Sequence, residues 1–259
     1  TGGDITLQAV DHNYPLSRGM FGRESNGSEL TIADGVSLTG RYISVAASAD
    51  NNDAETLFEL NEQELSPIDS QYGSFDRDLL VEDGESYIET LLRDLAEFRF
   101  FVGIGLLDST ASVTIGSDVK FDATADIKVE AYSNSGFISD VPGIAVSVGY
   151  GDTSSKATLS IASDASLIAR GDIRLTSISA NRTNINANTI RISKPPFHVA
   201  VALAESHTEA QLSVAPGATL RSLGGNINGI ATSTQHLRAQ ANAGAAFSSL
   251  AFGVVVTES

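Results

Sequence analysis

The chain has 259 residues, a formal net charge of −16, no cysteine, no tryptophan and one methionine. It is 42% hydrophobic but only 7% aromatic, so its core must use small and β-branched side chains, which suit closely stacked strands better than a helix bundle. Lack of cysteine excludes disulfides, thiolate metal sites and a cysteine nucleophile, and the acidic balance argues against nucleic acid and against electrostatic attachment to anionic membranes.

In chain order, the first readable element is GGDITLQAV at 2–10. Residues 28–49 read SELTIADGVSLTGRYISVAASA, an alternation of apolar and polar residues punctuated by Asp and Gly. Period two is strand period. An acidic stretch at 50–98 follows, and then FFVGIGLLD at 100–108. Three related stretches come next: ASVTIGSDVKFDATADIKVEAYS (111–133), ATLSIASDASLIARGDIRLTSIS (157–179) and AQLSVAPGATLRSLGGNINGIATS (210–233). Each is followed by a further apolar strand, GIAVSVGYGD (143–152), HVAVALAESH (198–207) and SLAFGVVVTES (249–259). The text begins and ends inside a pattern, which is expected of a piece of a longer repetitive protein. The most apolar run, FRFFVGIGLL at 98–107, is of strand length, far short of the roughly 20 residues that span a bilayer.

The three stretches align with one single-residue slip. Ile115, Ile161 and Val214 correspond, as do Val119, Ala165 and Ala218, and Ile127, Ile173 and Ile227. A fixed period with short strands and small residues predicts a solenoid of parallel strands, in which equivalent inward residues stack in columns. About five short strands per copy predict two coils per repeat, each about 4.8 Å above the last. The expected fold is all-β: a single domain, 1–259, formed as a right-handed parallel β-helix with a short α-helix in its acidic insertion.

The insertion holds 15 of the acids and only Arg77 and Arg93 as bases between residues 50 and 97, a net −13 of the total −16. Its first part, 50–85, reads as loop. Its second part, SYIETLLRDLAEF (86–98), places Tyr87, Ile88, Leu91, Leu92, Leu95 and Phe98 on one helical face. Ser86 and Glu89 have capping-box spacing, and Glu89–Arg93 is a favourable i,i+4 pair. The sequence therefore predicts an amphipathic helix over 86–98 that covers the core or a sheet of the solenoid.

The GDI-x-L-x-A pattern at Gly171–Leu175, Asp126–Ala131 and Gly3–Ala9, with the AVAVA-like strands at 143–149 and 198–204, resembles the right-handed β-helix shafts of large secreted bacterial adhesins. These are the filamentous-haemagglutinin-like and other giant repetitive exoproteins. The resemblance implies secretion to the cell surface, an elongated shaft, and adhesive, matrix or biofilm roles. It supplies no catalytic residues.

Candidate chemistry is sparse. Calcium needs six to eight oxygen ligands, and Asp50, Asp53 and Glu55 form the calcium candidate, set against solvated turn acids that bind nothing. Asp76, Asp78, Glu82 and Asp83 form a candidate partner-binding cluster on the insertion, set against a merely solvated loop. Asp4, Asp126 and Asp172 recur before a strand. Two coils per repeat would hold Asp126 and Asp172 roughly 9–10 Å apart, at the limit for an inverting glycosidase pair, whereas a turn role accounts for them more simply. His12, His198, His207 and His236 lack metal-ligand spacing, and His198 and His207 are expected on the surface at strand ends. No nucleophile elbow, phosphate loop or HExxH is present.

The repeat together with this resemblance implies a non-catalytic structural or adhesive shaft on the bacterial cell surface or in a biofilm matrix. Its expected partners are a host or neighbouring-cell surface, or a matrix polysaccharide, together with adjacent repeats of the same chain. Nucleic acid and membrane insertion are not expected. No cofactor is expected apart from the calcium candidate. The alternatives are a carbohydrate-binding or carbohydrate-cleaving β-helix and a calcium-stabilised assembly module.

Overall fold

The computed structural model describes residues 2–13, 21–52, 100–143, 146–189, 197–243 and 248–258. All regular structure among them is β. The strands are β1 (Ile5–Asn13), β2 (Phe21–Ile32), β3 (Ser37–Gly40), β4 (Ile43–Asn52), β5 (Phe100–Ile115), β6 (Lys120–Ala123) and β7 (Ile127–Gly143). They continue as β8 (Val146–Ile161), β9 (Ser166–Ala169), β10 (Ile173–Thr189), β11 (Phe197–Val214), β12 (Thr219–Ser222), β13 (Ile227–Ala243) and β14 (Ser248–Glu258). The helix expected at 86–98 lies outside the described residues, as does the insertion from residue 53 onward.

Every strand pairs in parallel with the strand three places along the chain. This gives a sheet A of β1-β4-β7-β10-β13, a sheet B of β14-β11-β8-β5-β2, and a small sheet C of β12-β9-β6-β3. The arrangement is consistent with a parallel β-solenoid. The columns expected from the repeat are present: Ile5, Ile43, Ile127, Ile173 and Ile227 are register partners in succession. So are Ile32, Ile115, Ile161 and Val214.

The number of layers per repeat differs from expectation. One repeat makes one layer, because Ile127 pairs directly with Ile173. Each full layer has a 16- to 18-residue strand in sheet B, a four-residue strand in sheet C and a 17-residue strand in sheet A. The closing strand of one copy and the opening strand of the next are a single element: VSVGYGD (146–152) runs without interruption through TSSK into ATLSI in β8.

The interior explains these long strands. Burial alternates along all of β8 and β10, yet the buried positions change chemistry partway. Near sheet C they form an apolar cluster containing Ile43, Val45, Ile115, Phe121, Ile127, Leu159, Ile161, Leu167 and Ile173. Each such side chain contributes about 1.5–3 kcal/mol on burial. At the far end a second apolar cluster contains Ile185, Ala187, Ala200, Ala202 and Ala204. Between them lies a belt of buried Ser, Thr and Asn residues, including Ser133, Ser155, Ser179, Asn181 and Thr183. Ser179 Oγ donates to Ser155 O at 2.7 Å, and Ser155 Oγ donates to Ser133 O at 2.9 Å. Asn181 Nδ2 reaches Thr153 O, Ser206 Oγ and His207 O across the gap between sheets A and B.

Small residues let these sheets approach. A Cβ at Gly105 would collide with the Phe137 ring, and one at Gly151 would meet both Ile185 and Phe137. Bulk on sheet A therefore fits against glycine on sheet B.

The chain turns differently at its three corners. From sheet B to sheet C the connections are always four residues, 33–36, 116–119, 162–165 and 215–218. Their left-handed third position holds Gly35, Asp118, Asp164 or Gly217 (φ 73°, 57°, 60° and 89°), a conformation that Gly tolerates best and Asp better than most. From sheet C to sheet A the connections are two to four residues, at 41–42, 124–126, 170–172 and 223–226. The extra residue at 223–226 is the single-residue slip in the repeat. From sheet A to sheet B they vary widely: 14–20, 53–99, 144–145, 190–196 and 244–247.

Candidate functional site

The recurring aspartates occupy the corner before sheet A. Asp126 Oδ1 accepts the backbone N–H of Asp172 at 2.8 Å, and Asp172 Oδ1 accepts that of Asn226 at 2.9 Å. One layer per repeat makes these aspartates neighbours, so the 9–10 Å separation expected from two coils does not occur. Asp172 also takes Arg174 Nη2 at 2.9 Å. The Asn226 N–H, followed by Arg174, holds its carboxyl below the usual carboxylate range. Asp4 instead accepts Arg41 Nε and Nη2, both at 2.9 Å, and this pairing lowers its pKa. These carboxylates bind the next layer of the chain. Beside them an open hollow of about 170 Å³ is lined by Tyr42, Ile43, Ser44, Asp126, Ile127, Lys128 and Arg174, which is below the 300 Å³ or more typical of small-molecule sites.

A cluster with mixed chemistry sits on the outer face of sheet B. Strand register places Tyr150 beside Leu203 and Asp152 beside Glu205, all with side chains opposite in direction to the buried Gly149, Gly151, Ala202 and Ala204. Tyr150 OH donates to Glu205 Oε2 at 3.0 Å. His207 Nε2 lies 3.4 Å from Glu205 Oε1 and 3.9 Å from Asp152 Oδ1. Partial burial, then the negative charges of Glu205 and Asp108, push the Asp152 carboxyl up, and His207 opposes them. The Tyr150 hydroxyl is pushed up to about 12 by burial first and by Glu205 second.

This cluster marks a boundary on that face. On one side the cross-strand rows are apolar: Val102–Val148–Val201–Phe252 and Ile104–Tyr150–Leu203–Val254. On the other side the outward residues of β8 are Ser154, Lys156, Thr158 and Ser160.

Of the calcium candidates, Asp50 belongs to β4, where Asn134 Nδ2 donates to its Oδ1 at 3.1 Å and His12 Nδ1 lies 3.8 Å from its Oδ2. Asp53 and Glu55 lie outside the described residues, as do Asp76, Asp78, Glu82 and Asp83. Among the described residues no group of three or more His, Asp or Glu is placed to hold a metal ion.

The histidines divide. His207 is on the surface, with its side chain 37% exposed. His198 is 1% exposed, and neither ring nitrogen has a hydrogen-bond partner among the described residues. It shares the inward phase of Ala200 and Ala202 on β11, so its place near a strand end does not bring it to the surface. Sequence reasoning does not bring Tyr150, Asp152, Glu205 and His207 together, although GYGD (149–152) and ALAE (202–205) occupy matching positions in successive copies and signal the cluster.

Comparison with known proteins gives no match: no family model, no curated protein and no solved structure pairs with this chain.

Proposed function

We propose that this chain is a non-catalytic shaft segment of an extracellular bacterial surface or biofilm-matrix protein, wound as a right-handed parallel β-helix like those of filamentous-haemagglutinin-like adhesins. The observation that supports it is the unbroken register column Ile5–Ile43–Ile127–Ile173–Ile227. Parallel ladders that continue from layer to layer make a stiff body whose loops are carried along its sides. Its partners are a host or neighbouring-cell surface, or a matrix polysaccharide, and adjacent repeats of the same chain.

Antibodies against the folded chain test this on intact cells that produce it. Labelling of the cell surface or matrix is expected, with weaker attachment after in-frame deletion of the segment. Labelling seen only after permeabilisation would overturn the proposal. The shaft needs no resident metal, so a chelator is expected to leave its melting temperature unchanged. A rise in saturating calcium would instead favour the Asp50–Asp53–Glu55 candidate, because a ligand of the folded state alone must stabilise it.

A second reading is carbohydrate binding or cleavage. It draws on the adjacent Asp152 and Glu205 carboxyls, of which Asp152 is pushed up, as a general acid would be. Release of reducing ends from a polysaccharide panel, lost in Asp152→Asn, would establish it over the shaft.

A further inference from the structure

The buried polar belt between sheets A and B is closed by side-chain contacts in its deeper layers. Ser155 on β8 is flanked across the gap by two serines of sheet A, with its Oγ 3.0 Å from Ser133 Oγ and 2.8 Å from Ser179 Oγ. Register places Asn26, Ser109 and Ser155 in one row of sheet B. It places Asp11, Ala49, Ser133 and Ser179 in the facing row of sheet A. Ser109 is therefore flanked by Ala49 and Ser133 as Ser155 is by Ser133 and Ser179, and Asn26 by Asp11 and Ala49. At Ala49 a methyl group stands where the deeper layers carry a hydroxyl.

Four oxygens on the strands that meet at this methyl group have no hydrogen-bond partner among the described residues: Asn26 Oδ1, Ser28 Oγ, Asn51 Oδ1 and Ser109 Oγ. Ser28 and Asn51 occupy the next inward positions after Asn26 and Ala49. Asn51 is 0% exposed, Ser109 1% and Ser28 6%, so bulk solvent does not serve them. Buried polar atoms in this state are rare and call for a partner. The amide nitrogens are already committed. Asn26 Nδ2 donates to Asp11 O at 3.2 Å, and Asn51 Nδ2 donates to Glu24 O at 3.2 Å and to Asp108 O at 2.8 Å. These bonds fix both Oδ1 atoms as acceptors, while each serine hydroxyl keeps a proton to give.

We propose that the belt binds an internal water molecule beside Ala49, held by Asn26, Asn51 and Ser109, with Ser28 at its edge. Water is the ligand that this set fits. It can give one proton to each amide oxygen and accept one from a serine hydroxyl, and buried waters make about three such bonds. An anion would meet two amide oxygens that offer it no proton. Calcium would want six to eight oxygens, and these four are fewer and uncharged. The water joins β2, β4 and β5 and stands in for the serine contacts of the deeper layers.

Magnetic relaxation dispersion of the water oxygen counts internal waters that exchange slowly. Ala49→Ser puts into this layer the side chain found at Ser133 and Ser179, so the fold has room for it. The dispersion amplitude is expected to fall by about one water between the parent chain and Ala49→Ser. An equal amplitude in the two proteins would overturn the proposal.

Atomic-resolution diffraction from the parent chain gives a test that needs no variant. A solvent peak is expected within hydrogen-bond reach of both Asn51 Oδ1 and Ser109 Oγ. No peak there, or a direct bond between those two groups, would overturn the site. So would a peak ringed by six or more oxygens at about 2.4 Å, which is a metal cation.

Discussion

The carboxylate of Asp126 accepts the backbone N–H of Asp172 at 2.8 Å, one repeat further along the chain. The glycine before Asp172 makes this possible: a Cβ on Gly171 would collide with Asp126 Oδ1, and one on Gly225 with Asp172 Oδ1. Where the preceding layer offers Tyr42, the matching residue is Ala125. Where Asp4 turns to Arg41, that matching residue is Arg41 itself. The repeated Gly-Asp is thus an interlayer latch, with glycine marking the layer above an aspartate.

Gly171→Ala is expected to cost about 2 kcal/mol by displacing this bond and crowding the corner, which lowers the melting temperature by about 4–8 °C for a chain of this size. In an Asp126→Ala background the same change should cost clearly less, since the collision partner is gone. Calorimetry on the four proteins of the cycle measures both; strict additivity would mean that the latch does not exist.

Asn181 ties sheet A to sheet B through three acceptors, Thr153 O, Ser206 Oγ and His207 O. Asn181→Ala strands these buried groups and is expected to cost about 2–4 kcal/mol, read from the midpoint of chemical denaturation. A loss below about 0.5 kcal/mol, the usual scale of a surface change, would show that the polar belt contributes little.

Gly105→Ala is expected to destabilise by about 1–3 kcal/mol, because its methyl group would enter the Phe137 ring. Phe137→Leu in the same chain should recover part of that loss by removing ring atoms from the contact. Failure of the leucine to recover anything would mean that the damage arises elsewhere in β5.

The Tyr150 hydroxyl, pushed up from 10.0 to about 12, gives a test in alkali. Its folded value exceeds its unfolded value, so its contribution to stability is complete below pH 10 and is lost as pH rises toward about 12. Ultraviolet titration should show a late tyrosinate that disappears in Tyr150→Phe. Glu205→Gln should bring that ionisation down only in part, since burial is the larger cause. An unchanged titration in Glu205→Gln would remove the carboxylate from the account.

The sequence shows the columns more clearly than it shows the strands that carry them. Ile127 and Ile173 stand out because they face a dry core, where stacking repeats volume and polarity, and Ile227 continues their column into the last layer, where it is 46% exposed. The length of β10 is hidden because SISANRTN (177–184) looks like punctuation. Its Ser177, Ser179, Asn181 and Thr183 are inward strand positions that find partners in the facing sheet, for example Thr183 Oγ1 and Thr153 Oγ1 at 2.7 Å. Two coils per repeat follow from reading that polar belt as a turn. His198 is hidden for a related reason: only its phase relative to Ala200 reveals its direction. The Tyr150–Glu205 contact needs register, which becomes visible once GYGD (149–152) is laid against ALAE (202–205).

The widely varying connections all lie at one corner, where sheet A passes the chain to sheet B, while the other corners vary by no more than two residues. Hydrogen-bonded ladders begin afresh beyond that joint, so its length leaves no trace in the register. The molecule therefore has a single seam that tolerates added sequence. New segments can be spliced into this seam, enlarged or removed while the stack beneath is untouched, and diversity along such a chain should collect on one side like pennants on a mast.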